Sequence, residues 1–213
     1  MLKNSAGAIL SLLEKEYPAA TTALLHKNVL QLLVATILSA QCTDKRVNIV
    51  TGPLFKRYKT AGDFARAKQA DLEKQIRSTG FYRSKARSIL GAAKMILDDF
   101  GGKVPDSMEE LIKLPGVARK TANIVLSYGF GKTEGIAVDT HVKRLSFRLG
   151  LTRNTDPVKI ERDLMNKVAK KDWSKVNTLL VAHGRAICKA GRPLCLECVL
   201  GSICPSKKMF YTK

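Results

Sequence analysis

The sequence predicts an all-α fold, and three observations carry the prediction. Apolar residues recur at steps of three and four along most of the chain, and no stretch alternates apolar and polar residues in the manner of a half-buried strand. Helix-start residues also recur: Asn28, Thr43 or Asp44, Ser84, Ser107, Asp139 and Asp156 each stand where a periodic segment opens.

Taken in order, residues 6–17 read as an amphipathic helix with Ile9, Leu12, Leu13 and Tyr17 on one side, ended by Pro18. Residues 28–40, NVLQLLVATILSA, are apolar on nearly every face, which predicts a buried central helix capped by Asn28. The segment QCTD at 41–44 punctuates, and a helix follows to about 58. Two short helices are expected at 61–67 and 69–78. Gly80 breaks the pattern before a long helix from Ser84 to about 99. Gly101, Gly102 and Pro105 form a loop. Helices are then expected at 107–113, from about 118 to 130, at 140–150 closed by Gly150, from Asp156-Pro157 onward, and at 174–187.

Between the helices at 107–113 and 118–130 lies LPGVARK, residues 114–120. Pro115 stops the first helix and Gly116 permits a tight turn with positive φ. Ser107 followed by Glu110 has capping-box spacing. The unit is helix, hairpin, helix. It directs backbone N–H groups outward at a helix N-terminus, where a phosphate binds well, and it sets Lys120 in the first turn beside that anion. From this stretch alone, an ordinary helical corner with an exposed lysine remains an alternative.

The charge points the same way. The chain of 213 residues carries 37 Lys and Arg against 18 Asp and Glu, a net charge of +19. The excess is shared by both halves, so the folded body is positive and nucleic acid is the leading partner. An anionic membrane surface would need an amphipathic anchor that the sequence lacks. The longest apolar run, near 29–40, is too short to span a bilayer and contains Gln31, Thr36 and Ser39. The N-terminus lacks a signal-peptide pattern, so a cytoplasmic, nucleoid-associated location in a prokaryote is expected. No linker rich in Ser, Gly or Pro divides the chain.

Four of the five cysteines fall within residues 188–204, spaced Cys188-x6-Cys195-x2-Cys198-x5-Cys204. That is no disulfide framework for an intracellular protein of this length. One close pair flanked by wider loops suits the separated corners of a [4Fe–4S] cluster better than a zinc knuckle. Lys189 and Arg192 lie in the first loop, so a stapled loop would offer positive charge to phosphates. A zinc-binding nucleic-acid module is the alternative.

Asp139 opens a helix in the segment GIAVDTHV, and a plain N-cap explains it locally. Its pairing with Lys120 suggests more. A lysine amine becomes nucleophilic among cations or away from water, and a carboxylate opposite stabilises an oxocarbenium-like sugar. The pair suits attack at C1′ of a deoxyribose.

ILSAQCTD at 37–44, LPGVARKTANIV at 114–125, VDTHV at 138–142 and the four-cysteine tail together resemble the endonuclease III family. These are helix-hairpin-helix [4Fe–4S] DNA glycosylase/AP lyases, and the resemblance covers essentially the whole chain. It implies two helical domains flanking a DNA-binding cleft. One is a six-helix barrel at 23–133, with the helix-hairpin-helix at about 107–129. The other is an iron–sulfur domain built from 1–22 and 134–213. The implied function is bifunctional: removal of oxidised pyrimidines from double-stranded DNA, then strand cleavage 3′ to the abasic site by β-elimination, by a monomer.

Residue by residue, Lys120 matches the family's Schiff-base lysine, Asp139 its catalytic aspartate, and Cys188, Cys195, Cys198 and Cys204 its cluster ligands. Gln41 matches the residue that fills the gap left by a flipped nucleotide. Thr79 and Phe81 fall in the wedge loop, where Phe81 either stacks on a base or packs in the core. Leu114, Gly116, Ala118, Arg119, Lys189 and Arg192 fall at expected DNA contacts. Ser39, Asp44 and His141 fall at the base pocket, with helix-start packing as the alternative for His141. The chain departs from the family at Ala118, where glycine is usual and a helical φ would accommodate alanine. It departs again at Ile112, where glutamate is common, and at Cys42, which replaces a small residue and is expected to pack in the core. Lys120 separates this reading from the mismatch glycosylases of the same superfamily, which lack that nucleophile. A non-catalytic Fe–S helix-hairpin-helix DNA-binding protein would need neither Lys120 nor Asp139.

Overall fold

A computed structural model describes residues 5–210, and every regular element in them is helical. The outermost parts of the expected iron–sulfur domain, 1–4 and 211–213, lie outside the described residues. The chain divides into two compact units. One spans Thr22–Glu134; the other joins the segment up to Thr21 with Gly135 onward.

The central unit contains α2 (Val29–Leu38), α3 (Asp44–Arg57), α4 (Ala61–Ala65), α5 (Gln69–Ile76), α6 (Tyr82–Asp99), α7 (Met108–Leu111) and α8 (Arg119–Phe130). The apolar segment read as a buried helix is one: Gln31 through Leu38 are all buried in α2. Asn28 caps it, its side-chain oxygen accepting from the Gln31 N–H at 2.9 Å. Its Leu33 and Leu38 join Leu54, Phe64, Leu72, Ile76, Ile89, Ile96, Leu111 and Leu126 in one continuous core. Burying such side chains stabilises by about 1.5–3 kcal/mol each, which offsets the entropy of ordering short helices such as α4 and α7. Cys42 is half-buried and packs against this core, as expected.

The second unit contains α1 (Ala6–Glu16), α9 (Thr140–Arg148), α10 (Pro157–Lys167), α11 (Trp173–Ala186) and the short α12 (Lys207–Phe210). Ile9, Leu13, Val142, Leu145, Ile160, Leu164, Leu180 and Leu200 make a separate core. Asp156 caps α10 with Pro157 in its first turn, as its sequence implies. The helix expected to reach Gly150 ends at Arg148, and Gly150 takes the left-handed φ of +72° that closes it.

One boundary differs more usefully. The helix expected to begin at Ser84 begins at Tyr82, because Phe81 adopts a left-handed conformation (φ +48°) and serves as its N-cap residue. That conformation costs a bulky residue about 1–3 kcal/mol. It also leaves the ring outside: Phe81 is 65% exposed, so it does not pack in the core.

Candidate functional site

In the central unit α6 is the spine of the site. A Cβ added to Gly91 would stand 3.1 Å from Pro115, and one added to Gly116 would stand 2.6 Å from the Ser88 side chain. The hairpin therefore lies directly on α6, and Gly116 holds the positive φ of +78° that its sequence position implies. Ser107 accepts from the Glu110 N–H and donates back to its carboxylate, which fixes the helix before the hairpin. Leu114 and Val117 are buried and anchor the turn, while Gly116 and Ala118 are more open to solvent. Leu114 thus contributes backbone to the exposed corner, not its side chain.

Ala118 is the N-cap residue of α8, and its φ of −91° and ψ of 169° are extended. The expectation of a helical conformation there is corrected; alanine is tolerated because φ is negative. An alanine cap has no side-chain acceptor, so no side chain caps the start of α8. Arg119 and Lys120 follow in that first turn, both half-buried.

At the N-terminal end of α6 stand two loops. Gln41 is exposed with φ +51° and Phe81 is exposed with φ +48°. Thr79, expected at a DNA contact, buries its side chain: it is 2% exposed and its hydroxyl donates to the Ile76 carbonyl at 2.8 Å. It closes the turn that carries Phe81. Ser39 likewise turns its hydroxyl back to the Thr36 carbonyl at 2.8 Å, and Asp44 begins α3.

Lys85 is not among the residues that the sequence motifs single out. It is buried, and its Nζ donates to the Leu38 carbonyl and to the Thr79 carbonyl, each at 2.8 Å. Burial holds its amine below the ordinary lysine range, against a smaller opposing effect from Cys42. The signal was available: Lys85 falls on the apolar stripe continued by Ile89, Ala92 and Ile96, where a charge needs a reason.

In the second unit Asp139 caps α9, its carboxylate accepting from the Val142 N–H at 2.8 Å. The residue is half-exposed, so capping leaves its second oxygen available for other work. His141 packs on α11: a Cβ at Gly184 would stand 2.6 Å from its Nδ1, which also lies 3.2 Å from Arg144 Nη2. Helix packing accounts for this ring. Arg144 and Arg148 of α9 reach the cysteine loop. Arg144 donates to the Cys188 carbonyl, and Arg148 donates to the carbonyls of Lys189 and Ala190 and to Cys188 Sγ at 3.3 Å. Lys189 and Arg192 stand exposed on the loop so held.

Cys188, Cys195, Cys198 and Cys204 line one cavity, walled by Leu145, Leu149 and Leu200. His183 Nε2 lies 3.3 Å from Cys198 Sγ, and its Nδ1 lies 3.0 Å from the Tyr17 hydroxyl. Burial lowers the His183 pKa to about 4, which keeps the ring neutral beside the thiols. Burial also pushes the Cys198 and Cys204 thiols up, and neighbouring cysteines add to the shift. Gly201 makes the loop possible: a Cβ there would stand 2.9 Å from the Cys198 carbonyl and 3.3 Å from that of Cys195. Among the described residues no three His, Cys, Asp or Glu side chains gather around a single-ion site.

Comparison with known proteins decides the family. Residues 34–170 match the HhH-GPD superfamily of base excision DNA repair proteins. Endonuclease III of Synechocystis sp. is 55% identical over 96% of this chain and 93% of its own. Endonuclease III of Bacillus subtilis is 50% identical over 88% of this chain and 86% of its own. The chain belongs to the endonuclease III family. A solved structure of a trapped endonuclease III–DNA covalent intermediate superposes with a TM-score of 0.92 at 43% identity, covering 98% of each chain. A thermostable thymine-DNA glycosylase shares the fold, with a TM-score of 0.85 at 20% identity over 97% of each chain. No helix among the described residues is long and apolar enough to cross a membrane.

Proposed function

We propose that Lys120 and Asp139 carry the chemistry of a DNA glycosylase/AP lyase of base excision repair, the class of enzyme to which the endonuclease III family belongs. The observation that carries the reading is Lys120 in the first turn of α8, directly behind an uncapped helix N-terminus on a glycine hairpin. The hairpin N–H groups hold a DNA phosphate. The substrate is double-stranded DNA with an oxidised pyrimidine or an abasic site.

Flipping the damaged nucleotide costs a few kcal/mol of unstacking. The exposed Gln41 and Phe81 are suited to offset it, Gln41 by filling the gap and Phe81 by stacking against the exposed bases. The Lys120 amine then attacks C1′. The new N–C1′ bond forms as the glycosidic bond breaks, and that electron pair leaves with the base. Asp139 stabilises the positive charge that develops on the sugar. Loss of the amine proton opens the ring to an imine; loss of a C2′ proton then expels the 3′ phosphate, and water releases Lys120.

The cavity lined by four thiols, with Gly201 packed against the Cys198 and Cys195 carbonyls, fits a [4Fe–4S] cluster held by Cys188, Cys195, Cys198 and Cys204. When bound, such a cluster staples the loop that presents Lys189 and Arg192 to phosphates. The enzyme acts as a monomer, in the cytoplasm where the chromosome of a prokaryote lies.

Borohydride trapping on a thymine-glycol duplex tests the reading. Wild type forms a covalent adduct and Lys120→Gln does not. An adduct of equal yield from Lys120→Gln would reassign the nucleophile.

A further inference from the structure

We propose that Lys85 is a positioning residue that fastens the Gln41 loop to the Phe81 loop, so that both enter the DNA as one body. The inference rests on the proposed role of those loops in opening the duplex.

Lys85 stands where a lysine is expensive. It is 5% exposed, and it lies in the first turn of α6, where the helix dipole disfavours a cation. An apolar side chain would suit the stripe it shares with Ile89 and Ile96. What compensates is its pair of acceptors. The Leu38 carbonyl is among the last of α2, at the negative end of that helix and short of intrahelical partners. The Thr79 carbonyl ends the turn formed by Arg77–Thr79. Both acceptors belong to the main chain, so the ammonium fixes backbone in two separate segments, 47 and 6 residues away in sequence.

Each segment leads at once to an exposed residue in a strained conformation. Gln41 lies just past Leu38 and Phe81 just past Thr79. Among the described residues these are the two non-glycine residues with positive φ. Such conformations persist only where the surroundings over-determine them. One buried ammonium bonded to the root of both loops supplies that constraint, and it makes the position of either loop depend on the other. Flipping a paired nucleotide needs both at once, one in the gap and one against the stack. DNA that is already abasic has no base pair left to break, so it depends less on the pair of loops.

The test uses the full chain with Lys85→Met, which keeps the stem and removes the donors, and Lys85→Arg, which keeps donors should the methionine variant fail to fold. Hydrogen exchange is followed at residues 39–42 and 79–82. Both segments are expected to exchange about ten-fold faster or more in Lys85→Met, together, while the amides of α8 keep wild-type rates. Single-turnover excision of thymine glycol is expected to fall about ten-fold or more, with cleavage of a preformed abasic site near wild type. Lys85→Arg is expected to recover the coupled protection in part. Unchanged exchange in both loops, or equal loss on both substrates, would overturn the proposal. If the loops loosen together in a protein whose wild type excises no oxidised base, the staple stands and the enzymatic reading falls.

Discussion

Gly116 approaches Ser88 so closely that a methyl group on its Cα would stand 2.6 Å from the Ser88 Cβ. The same glycine holds φ at +78°. Two independent constraints therefore exclude a side chain from the turn that precedes α8. Gly116→Ala is expected to destabilise by about 1–3 kcal/mol from backbone strain, with the overlap adding to it. The melting temperature should fall by roughly 2–4 °C per kcal/mol for a chain of this length. Binding to undamaged duplex should weaken as well, since the hairpin N–H groups move. A variant that melts and binds like wild type would show that the hairpin is not seated on α6.

Asp139 has a structural task and a proposed chemical one, and two substitutions separate them. Asp139→Ala loses the cap to Val142 and should cost about 1 kcal/mol. Asp139→Asn keeps an oxygen for the cap and removes the charge, so its melting should stay near wild type. Both should lose thymine-glycol excision by about 10²-fold or more, as when a charge-stabilising group is removed from other active sites. Wild-type excision by Asp139→Asn would reduce the residue to a helix cap.

Many of these features are legible in the sequence alone. Asn28, Ser107, Asp139 and Asp156 each announce a helix start, because a side-chain oxygen in that place has one local use. Gly116 is legible for the same reason: only glycine takes that turn without strain. What escapes is set by tertiary structure. Nothing local says that Phe81 takes φ +48° and begins α6 early, or that Ala118 is extended. Thr79 reads as a DNA contact because its loop position is right, but its burial follows from the packing of α3, α5 and α6 around its turn. Lys85 is legible in part, since a charge on an apolar stripe needs a buried partner, yet its two acceptors are carbonyls of distant segments that no local pattern can name.

The loop that carries the cysteines offers a test that needs no DNA. Gly201 sits against the carbonyls of Cys198 and Cys195 at 2.9 and 3.3 Å from a notional Cβ. Gly201→Ala must shift the turn away from the Cys198 carbonyl and crowd that of Cys195. With the proposed cluster in place in wild type, the purified variant is expected to carry less iron and a weaker absorbance band near ~400 nm, the region of iron–thiolate charge transfer. Full iron content and an unchanged spectrum would mean that the loop tolerates the side chain and that the glycine is incidental.

Acid stability should depend on Asp163. Its carboxylate accepts from the Thr152 hydroxyl and from Asn154 Nδ2, the latter at 2.8 Å, and these bonds hold its pKa below the ordinary aspartate value. The folded state thus prefers the ionised form more than the unfolded chain does. The stabilisation is fully present above the unfolded value of about 3.9 and is lost as pH falls from there through the lowered folded value. Since the group is near the surface, solvent screening keeps the contribution small. Asp163→Asn should therefore melt slightly below wild type at neutral pH. The gap should narrow as pH is lowered through the acid range, because the wild type loses a contribution that the variant never had. A gap that stays constant with pH would show that the hydrogen bonds matter only as neutral contacts and that the charge on Asp163 adds nothing to the end of α9 and the turn into α10.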